Sequence, residues 1–262
     1  MARDLGQPGC YVYGIVPADV ELTGDVRGVG DPPGRIELVR QGGLAALVSE
    51  VNLTAGLGTP ADLRAHAQVL DTTAVEVPVL PLRFGTVLAA RDAVAGELLA
   101  AGQEAFAAAL KEAEGRAQYV VKGRYVEHAV LAEALAEIPQ VARLRKQIRG
   151  KDPDVTRQAR LRLGQIITKA ITAKRAADTR ALAEIVAACC VASVVREPTH
   201  DLDAVHVALL AEIARRDDLA QALSGLASDW EGRVEIRLLG PMAAYDFTTT
   251  PLVRAPHAPS GG

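Results

Sequence analysis

The residues best suited to chemistry form one short group near the end of the chain. His200, Asp201, Asp203 and His206 carry imidazole and carboxylate groups, which are common metal ligands. Their spacing places the first two in a turn and the other two at the mouth of a strand, on opposite faces if that strand begins at Asp203. We therefore expect polar loop interactions here. One hypothesis for function is an enzyme that uses this group. A bound metal or a strongly shifted histidine pKa would support it.

The other candidate metal or redox residues lack partners at suitable spacing. His66 lies beside the apolar side of a predicted helix, without a second His or Cys three or four residues away. Cys10, Cys189 and Cys190 lack the Cys-x-x-Cys spacing of redox and zinc sites, and are typical of small core side chains in a reducing compartment. The sequence therefore predicts no metal and no cofactor.

Motifs for nucleotide binding and nucleophilic catalysis are missing from the sequence. No Gly-x-Gly-x-x-Gly opens a helix after a strand, and neither a phosphate-binding loop ending in Gly-Lys-Ser/Thr nor a Gly-x-Ser-x-Gly elbow occurs. The glycine-rich residues 28–34 run into prolines and a strand, which is typical of a turn. We assign no catalytic residue and predict that the protein is not an enzyme.

Hydrophobic patterning predicts an N-terminal α+β domain over residues 1–115. Two prolines in residues 77–87 remove backbone donors, so this extended segment is an edge strand or a crossover rather than a central strand. The other expected elements are a strand at 10–16, a hairpin of 35–40 and 44–51, and helices at 60–75 and 92–114.

The pattern over residues 116–247 predicts a ferredoxin-like α+β domain. Its β-α-β-β-α-β order is typical of an antiparallel sheet covered by helices on one face. The first helical region is too long for one span of a sheet, so we expect it to break at Pro139 and at residues 150–153 and to form an inserted helical hairpin. Strands are expected at 117–126, 191–197, 204–211 and 232–238, helices at 127–190 and 215–230, and a flexible tail at 248–262.

Composition favours a cytoplasmic protein of two compact units. From the pattern of elements, we predict that these are two ferredoxin-like α/β units with antiparallel sheets. The 262 residues are 49% hydrophobic but only 3% aromatic, with a formal net charge of -3, so the core must consist mainly of aliphatic side chains. The N-terminus lacks the apolar run of a signal peptide, and no apolar stretch reaches the roughly 18 residues of a membrane span. A membrane partner is not expected.

Residues 143–180 hold most of the positive charge. They contain twelve Lys or Arg against three Asp, which leaves an excess of about twelve negative charges on the rest of the chain. The segment has no aromatic residue for base stacking and matches no nucleic-acid module, so nucleic acid is not expected. Two interpretations stay open: a solvated helix face, and a surface for an acidic protein partner that includes Arg157, Arg160 and Lys169.

Three segments together resemble the gas vesicle protein F/L family. They are Tyr-Val-Tyr-Gly-Ile-Val-Pro at 11–17, Pro-Val-Leu-Pro-Leu-Arg-Phe-Gly-Thr at 78–86, and Gly-Pro-Met-Ala-Ala-Tyr-Asp-Phe at 240–247. Members of this family are similar in having two α+β units. The resemblance implies a minor accessory or structural protein of gas vesicle assembly, located at the vesicle, that binds the small shell-forming protein and other accessory proteins. Relatives often have more prolines where this chain has Met-Ala-Ala at 242–244.

The proline-interrupted edge is the candidate docking strip for such a partner. A protein that covers the apolar surface and strand edges of a shell subunit needs an apolar or strand-edge surface of its own. The alternative function is a ligand-binding or regulatory ferredoxin-like module, which a defined pocket with convergent polar groups would favour. Oligomeric state and the choice between F and L types stay open. The strip consists of Val79, Leu80, Leu82, Arg83 and Phe84, for which core packing is an equally good expectation.

Overall fold

The computed structural model describes residues 8–22 and 26–248, which form two compact units. The first contains the described residues of Met1–Gln118 and Pro241–Gly262, and the second is Tyr119–Gly240. The chain therefore leaves the first unit once and returns to it near its end. The predicted tail lies outside the described residues from position 249 onward.

A five-stranded sheet forms the centre of the first unit. Its strand order is β2-β3-β1-β4, with β5 also paired to β1. Gly42 has a φ of 58° in the tight turn between β2 and β3, a conformation that favours glycine. The short β4 is an edge strand, as its prolines predict. The strands are β1 (Pro8–Pro17), β2 (Glu37–Gln41), β3 (Leu44–Asn52), β4 (Leu80–Pro81) and β5 (Val87–Leu88).

A bulge in β1 lets this strand supply side chains to both apolar layers. The register with β3 shifts between Val12 and Gly14, so Tyr13 is the extra residue. Cys10, Val12 and Ile15 pack in one layer, whereas Tyr11, Tyr13 and Val16 pack in the other. A Cβ at Gly14 would lie 2.7 Å from Leu70 Cδ2 and 2.8 Å from the Leu80 carbonyl oxygen, so only glycine fits there.

Helices cover both faces of this sheet. Helix α1 (Pro60–Glu76) begins with a capping box between Thr59 and Asp62, and its Val69 and Leu70 pack in the layer that holds the two tyrosines. The opposite layer is covered by α2 (Arg91–Ala93), a π-helical segment (Val94–Ala100) and α3 (Gln103–Ala113). A short 3₁₀ turn (Leu53–Ala55) follows β3.

The expectation of one helix over residues 92–114 is therefore wrong. The π-helical segment buries Val94, Leu98 and Leu99 together, which a regular α-helix would not place on one narrow face. The helix then breaks at Gly102, where a Cβ would lie 2.3 Å from the Phe106 ring. The absence of a side chain at Gly102 thus lets Phe106 pack closely against the break.

A four-stranded sheet of order β7-β8-β6-β9 forms the second unit. β7 pairs antiparallel with β8, and β6 lies between β8 and β9. Helix α7 (Arg216–Asp229), preceded by a 3₁₀ turn (Ile213–Arg215), connects β8 to β9. The predicted α+β class with two antiparallel sheets is confirmed, while the finer ferredoxin-like description stays a prediction. The strands are β6 (Arg116–Tyr125), β7 (Ala192–Val195), β8 (Asp203–Glu212) and β9 (Val234–Met242).

Three helices occupy the long connection between β6 and β7. They are α4 (Glu127–Glu137), α5 (Pro139–Ile148) and α6 (Arg157–Val186). Pro139 begins α5, and the segment between Ile148 and Arg157 turns the chain into α6, so both predicted break points are observed. The apolar side of α5 is buried, while its charged side is exposed. Within the described part of the chain, no helix has the length and apolar character needed to span a membrane.

Candidate functional site

The predicted docking strip is mostly interior to the first unit. Val79 packs in the layer under α1, and Leu80 and Leu82 pack in the layer under α3. Arg83 is exposed and Phe84 is half-buried. A partner at this edge would therefore contact Arg83 and part of the Phe84 ring. The binding role of the strip stays a prediction.

The two motif tyrosines hold loops onto the sheet. The backbone N–H of Gly85 donates to the Tyr11 hydroxyl at 3.0 Å, which fixes the segment after β4. The N–H of Val29 donates to the Tyr13 hydroxyl at 2.8 Å, and Ser49 Oγ lies 2.8 Å from the same oxygen. Burial raises the pKa of both tyrosines, so they stay protonated. These buried hydroxyls therefore have a structural role.

His66 lies at the centre of the same aromatic cluster. Its ring stacks on Tyr13 and meets Phe84 edge-on, and its Nδ1 is 2.9 Å from the Tyr11 hydroxyl. The hydroxyl accepts from Gly85 and has one proton of its own; when this proton is donated to Nδ1, the imidazole hydrogen is on Nε2, which has no hydrogen-bond partner among the described residues. Burial lowers the pKa of His66 to about 4, against a smaller opposing effect of the Leu82 carbonyl. A neutral, enclosed imidazole of this kind packs in the core.

Asp62 fixes the loop that follows β1 to the start of α1. Its carboxylate accepts from the backbone N–H groups of Gly30, Gly58 and Thr59, at 2.9, 3.1 and 3.0 Å, and from the Thr59 hydroxyl at 2.8 Å. The bond from Gly30, followed by that from the Thr59 side chain, lowers the pKa of Asp62 to about 2. The negative charge of Asp62 is therefore stabilised by hydrogen bonds within the first unit.

The predicted basic binding residues lie along α6. Arg157, Arg160 and Lys169 are all exposed, and Arg160 Nε donates to Thr156 Oγ1 at 3.0 Å. Sequence reasoning missed two apolar side chains beside them, Val155 and Leu161, which are 81% and 61% exposed. In the sequence, both residues are surrounded by charged residues and do not fit the helical spacing of the other apolar residues. This pattern could have indicated that they are exposed.

Further along α6, a charged network replaces this exposed pattern. Asp178 is buried and accepts two bonds from Arg233, at 3.0 and 2.8 Å, together with a short bond from the Tyr125 hydroxyl. Arg233 also donates to Glu133 at 2.9 Å, and Lys174 binds Glu133 at 2.8 Å. The network connects α4 and α6 to the sheet. No spacing in the sequence could reveal it, since its members are far apart in the chain.

The histidine and aspartate group near β8 does not converge. The Asp203 carboxylate accepts from the Thr199 hydroxyl at 2.9 Å and from the backbone N–H groups of Thr199 and His200 at 2.7 and 2.9 Å. Burial opposes ionisation, but these bonds, first that from the Thr199 hydroxyl, hold the pKa of Asp203 below its usual value. His200 contacts Arg124, and His206 donates from Nδ1 to the Glu197 carbonyl. No set of three or more His, Cys, Asp or Glu side chains among residues 8–22 and 26–248 could hold a metal ion.

The first unit also contains a cavity of about 650 Å³ at the end of its sheet. Its lining includes apolar side chains of β3 and α1, such as Leu47 and Val69, and charges of both signs, such as Arg35, Lys111 and Glu114. The size is in the range of small-molecule sites.

Sequence comparison matches nearly the whole chain to one family. Residues 9–249 match the family described as Gas vesicle synthesis protein GvpL/GvpF. A protein named Gas vesicle protein F from a Streptomyces species is 30% identical over 246 residues, which is 90% of this chain and 98% of that protein.

Solved structures show the same fold. The crystal structure of the gas vesicle protein GvpF from an Anabaena species superposes with a TM-score of 0.73 at 21% identity, covering 90% of this chain and 96% of that one. GvpF from Microcystis aeruginosa gives a TM-score of 0.72 at 19% identity, covering 91% and 98% of the two chains. At this level of identity the match shows a shared fold.

Proposed function

This chain belongs to the GvpL/GvpF family of gas vesicle synthesis proteins, and we propose that it is a non-enzymatic accessory protein that binds the small shell-forming protein during assembly. The observation that carries the proposal is the match over residues 9–249, which includes all three motif segments. In the structure, the motif residues Tyr11, Tyr13 and Gly14 fix the fold rather than form a reactive centre. We further propose that it acts at the gas vesicle in the cytoplasm, together with other accessory proteins.

The proposed contact with the shell protein is the edge of the first unit near β4. Arg83 is the exposed residue of the strip, and Phe84 exposes part of its ring beside it. Prolines around β4 limit uncontrolled strand pairing, so side chains rather than a continuous backbone ladder would provide recognition. Removing residues 78–84 would also remove core side chains, so a point substitution is the sharper test.

Co-expression with the shell-forming subunit tests this function. We expect the two proteins to co-purify, and cells that lack this chain but hold all other vesicle components to form no vesicles. Arg83→Glu should reduce co-purification, whereas Arg64→Glu, at an exposed position of α1, should leave it unchanged. Normal vesicles in cells that lack this chain would overturn the accessory role. Equal co-purification of the Arg83→Glu and Arg64→Glu variants would overturn only the proposed contact at the docking strip.

The cavity in the first unit is the observation that supports the alternative, a ligand-binding or regulatory module. Under this alternative, cell metabolites would stabilise the purified protein in a thermal shift screen. Leu47→Trp, which introduces a large side chain into the cavity wall, would abolish that shift. The absence of any stabilising metabolite would exclude the module.

A further inference from the structure

The tip of the helical hairpin in the second unit presents cations without acidic partners. We define the basic face as Arg149, Lys151, Arg157, Arg160, Arg162 and Lys169, all exposed. Among the described residues, none of Arg157, Arg162 and Lys169 has an ion pair. Of the acids on this segment, Asp152 accepts from the backbone N–H of Asp154, and Asp178, further along α6, binds Arg233. This positive charge is therefore available to a partner.

Apolar side chains lie among these charges. Leu161 is one helical turn after Arg157, with Arg160 and Arg162 on either side of it. Gly164 follows on the same side, and a Cβ there would meet no atom within 4 Å, so the helix surface is open at that point. Val155, the most exposed large apolar residue of the described part of the chain, lies just before the helix. Burying the side chains of Val155 and Leu161 against a partner would stabilise the complex.

We propose that the basic face binds an acidic amphipathic helix of a partner protein. Carboxylates of that helix would pair with Arg157, Arg162 and Lys169, and its apolar side would cover Leu161. The distance from Arg157 to Lys169 along α6 is about 18 Å, which matches three to four turns of a partner helix. The proposal rests on the accessory role above, because it assigns one of the protein partners to a surface.

The chemistry of the surface favours protein over nucleic acid. Phosphates would satisfy the cations but leave Leu161 and Val155 in water. Single-stranded nucleic acid usually stacks its bases on aromatic side chains, and residues 143–180 contain none. An amphipathic helix supplies both the negative charge and the apolar cover that this face lacks.

Binding of a model peptide tests the proposal directly. The probe is a fluorescein-labelled helical peptide of about 18 residues, built from Glu and Ala with a row of Leu along one side. Fluorescence anisotropy with the full chain should show binding that weakens at least about tenfold between about 50 mM and about 300 mM salt. A peptide with Gln in place of Glu, and one with the Leu residues scattered, should both bind less well.

Charge reversal locates the contact. Arg157→Glu combined with Arg162→Glu and Lys169→Glu should weaken peptide binding at least about tenfold at low salt. The matched control, Arg64→Glu with Lys111→Glu and Lys122→Glu, changes the net charge equally at exposed positions outside the hairpin and should bind normally. Leu161→Asp should weaken binding without altering the circular dichroism spectrum. Equal losses in both triple variants would overturn the proposal.

Two further arms separate other classes of ligand. Salt-dependent binding of single-stranded RNA or of phosphatidylserine vesicles, without binding of the peptide, would overturn the proposal in favour of nucleic acid or lipid. If the peptide fails to bind while cells still need the chain to form vesicles, the docking inference fails and the accessory role stands. If the peptide binds but vesicles form without the chain, the accessory role fails instead.

Discussion

At the scale of single residues, His66 makes the first unit sensitive to acid. Its folded pKa of about 4 is below the ordinary value of 6.5, so the unfolded chain binds more protons between these values. The stability due to the neutral imidazole is complete above pH 6.5 and is lost as the pH falls toward 4. We expect the free energy of unfolding to fall by roughly 2 kcal/mol on this account between about pH 7 and about pH 4.5.

Urea unfolding of His66→Gln at both pH values, followed by near-ultraviolet circular dichroism, measures this contribution. The variant keeps an acceptor for the Tyr11 hydroxyl but cannot titrate, so its pH dependence should be smaller than that of the original chain. His128→Gln, at an exposed position of α4, should keep the full dependence. A His66→Gln curve parallel to the original would mean that the buried imidazole does not control acid stability.

The residues of the tyrosine motif could be recognised from the sequence, but their contacts could not. Alternation predicts a strand over residues 10–16, and this strand is observed as the centre of β1. The bulge at Tyr13 arises in the pairing of β1 with β3, and Gly14 is approached closely by Leu70 of α1; both partners are distant in the chain. Local pattern therefore identifies the element, while its tertiary neighbours decide which side chain each position can hold.

At the scale of elements, Asp178 connects α6 to the sheet of the second unit through hydrogen bonds and an ion pair. Its carboxylate binds Arg233 through two atoms and accepts from Tyr125, while Glu133 and Lys174 extend the network to α4. Asp178→Ala would leave a largely buried guanidinium and a buried hydroxyl without this partner. We expect a loss of about 2–3 kcal/mol in the stability of the second unit.

Fluorescence of Trp230, the only tryptophan of the chain, reports this unfolding. Arg233 lies over its ring at 5.9 Å, so the indole also senses the network directly. The control is Asp218→Ala, which breaks an exposed pair with Arg215 and should cost no more than about 1 kcal/mol. Equal effects of the two substitutions would show that burial of Asp178 adds nothing to its pairing.

The helices show why sequence reasoning succeeded at some boundaries and failed at others. Pro139 must begin or break a helix, and the Gly-Lys-Asp-Pro segment at 150–153 turns the chain, so the hairpin in the second unit was predictable. The interruption at Val94–Ala100 has no proline, and a single Gly96 does not distinguish an α-helical from a π-helical turn. Only the packing of Leu98 and Leu99 against the sheet selects the wider turn.

At the scale of the whole molecule, the first unit is completed by residues from the end of the chain. Ala243 and Ala244 are buried, and Gln118 Oε1 accepts from the Asp246 N–H at 2.9 Å. Small side chains thus enter this interior, while Tyr245 is 38% exposed. The Met-Ala-Ala sequence at 242–244 thus contributes two small buried side chains to this unit.

Asp71 on α1 should control how firmly this last segment is bound. The Ala243 N–H donates to Asp71 Oδ1 at 3.0 Å, and burial raises the pKa of that carboxyl even though the N–H favours its ionised form. Burial therefore destabilises the ionised carboxylate, while its hydrogen bond to the Ala243 N–H stabilises it.

Asp71→Asn keeps the hydrogen-bond acceptor and removes the charge, so we expect a free energy of unfolding equal to or above that of the original chain. Asp71→Ala loses the acceptor and should cost about 1–2 kcal/mol. Hydrogen exchange at the Ala243 amide should be faster in the alanine variant alone, and unchanged exchange there would show that burial of Ala243 and Ala244 is enough to hold the segment.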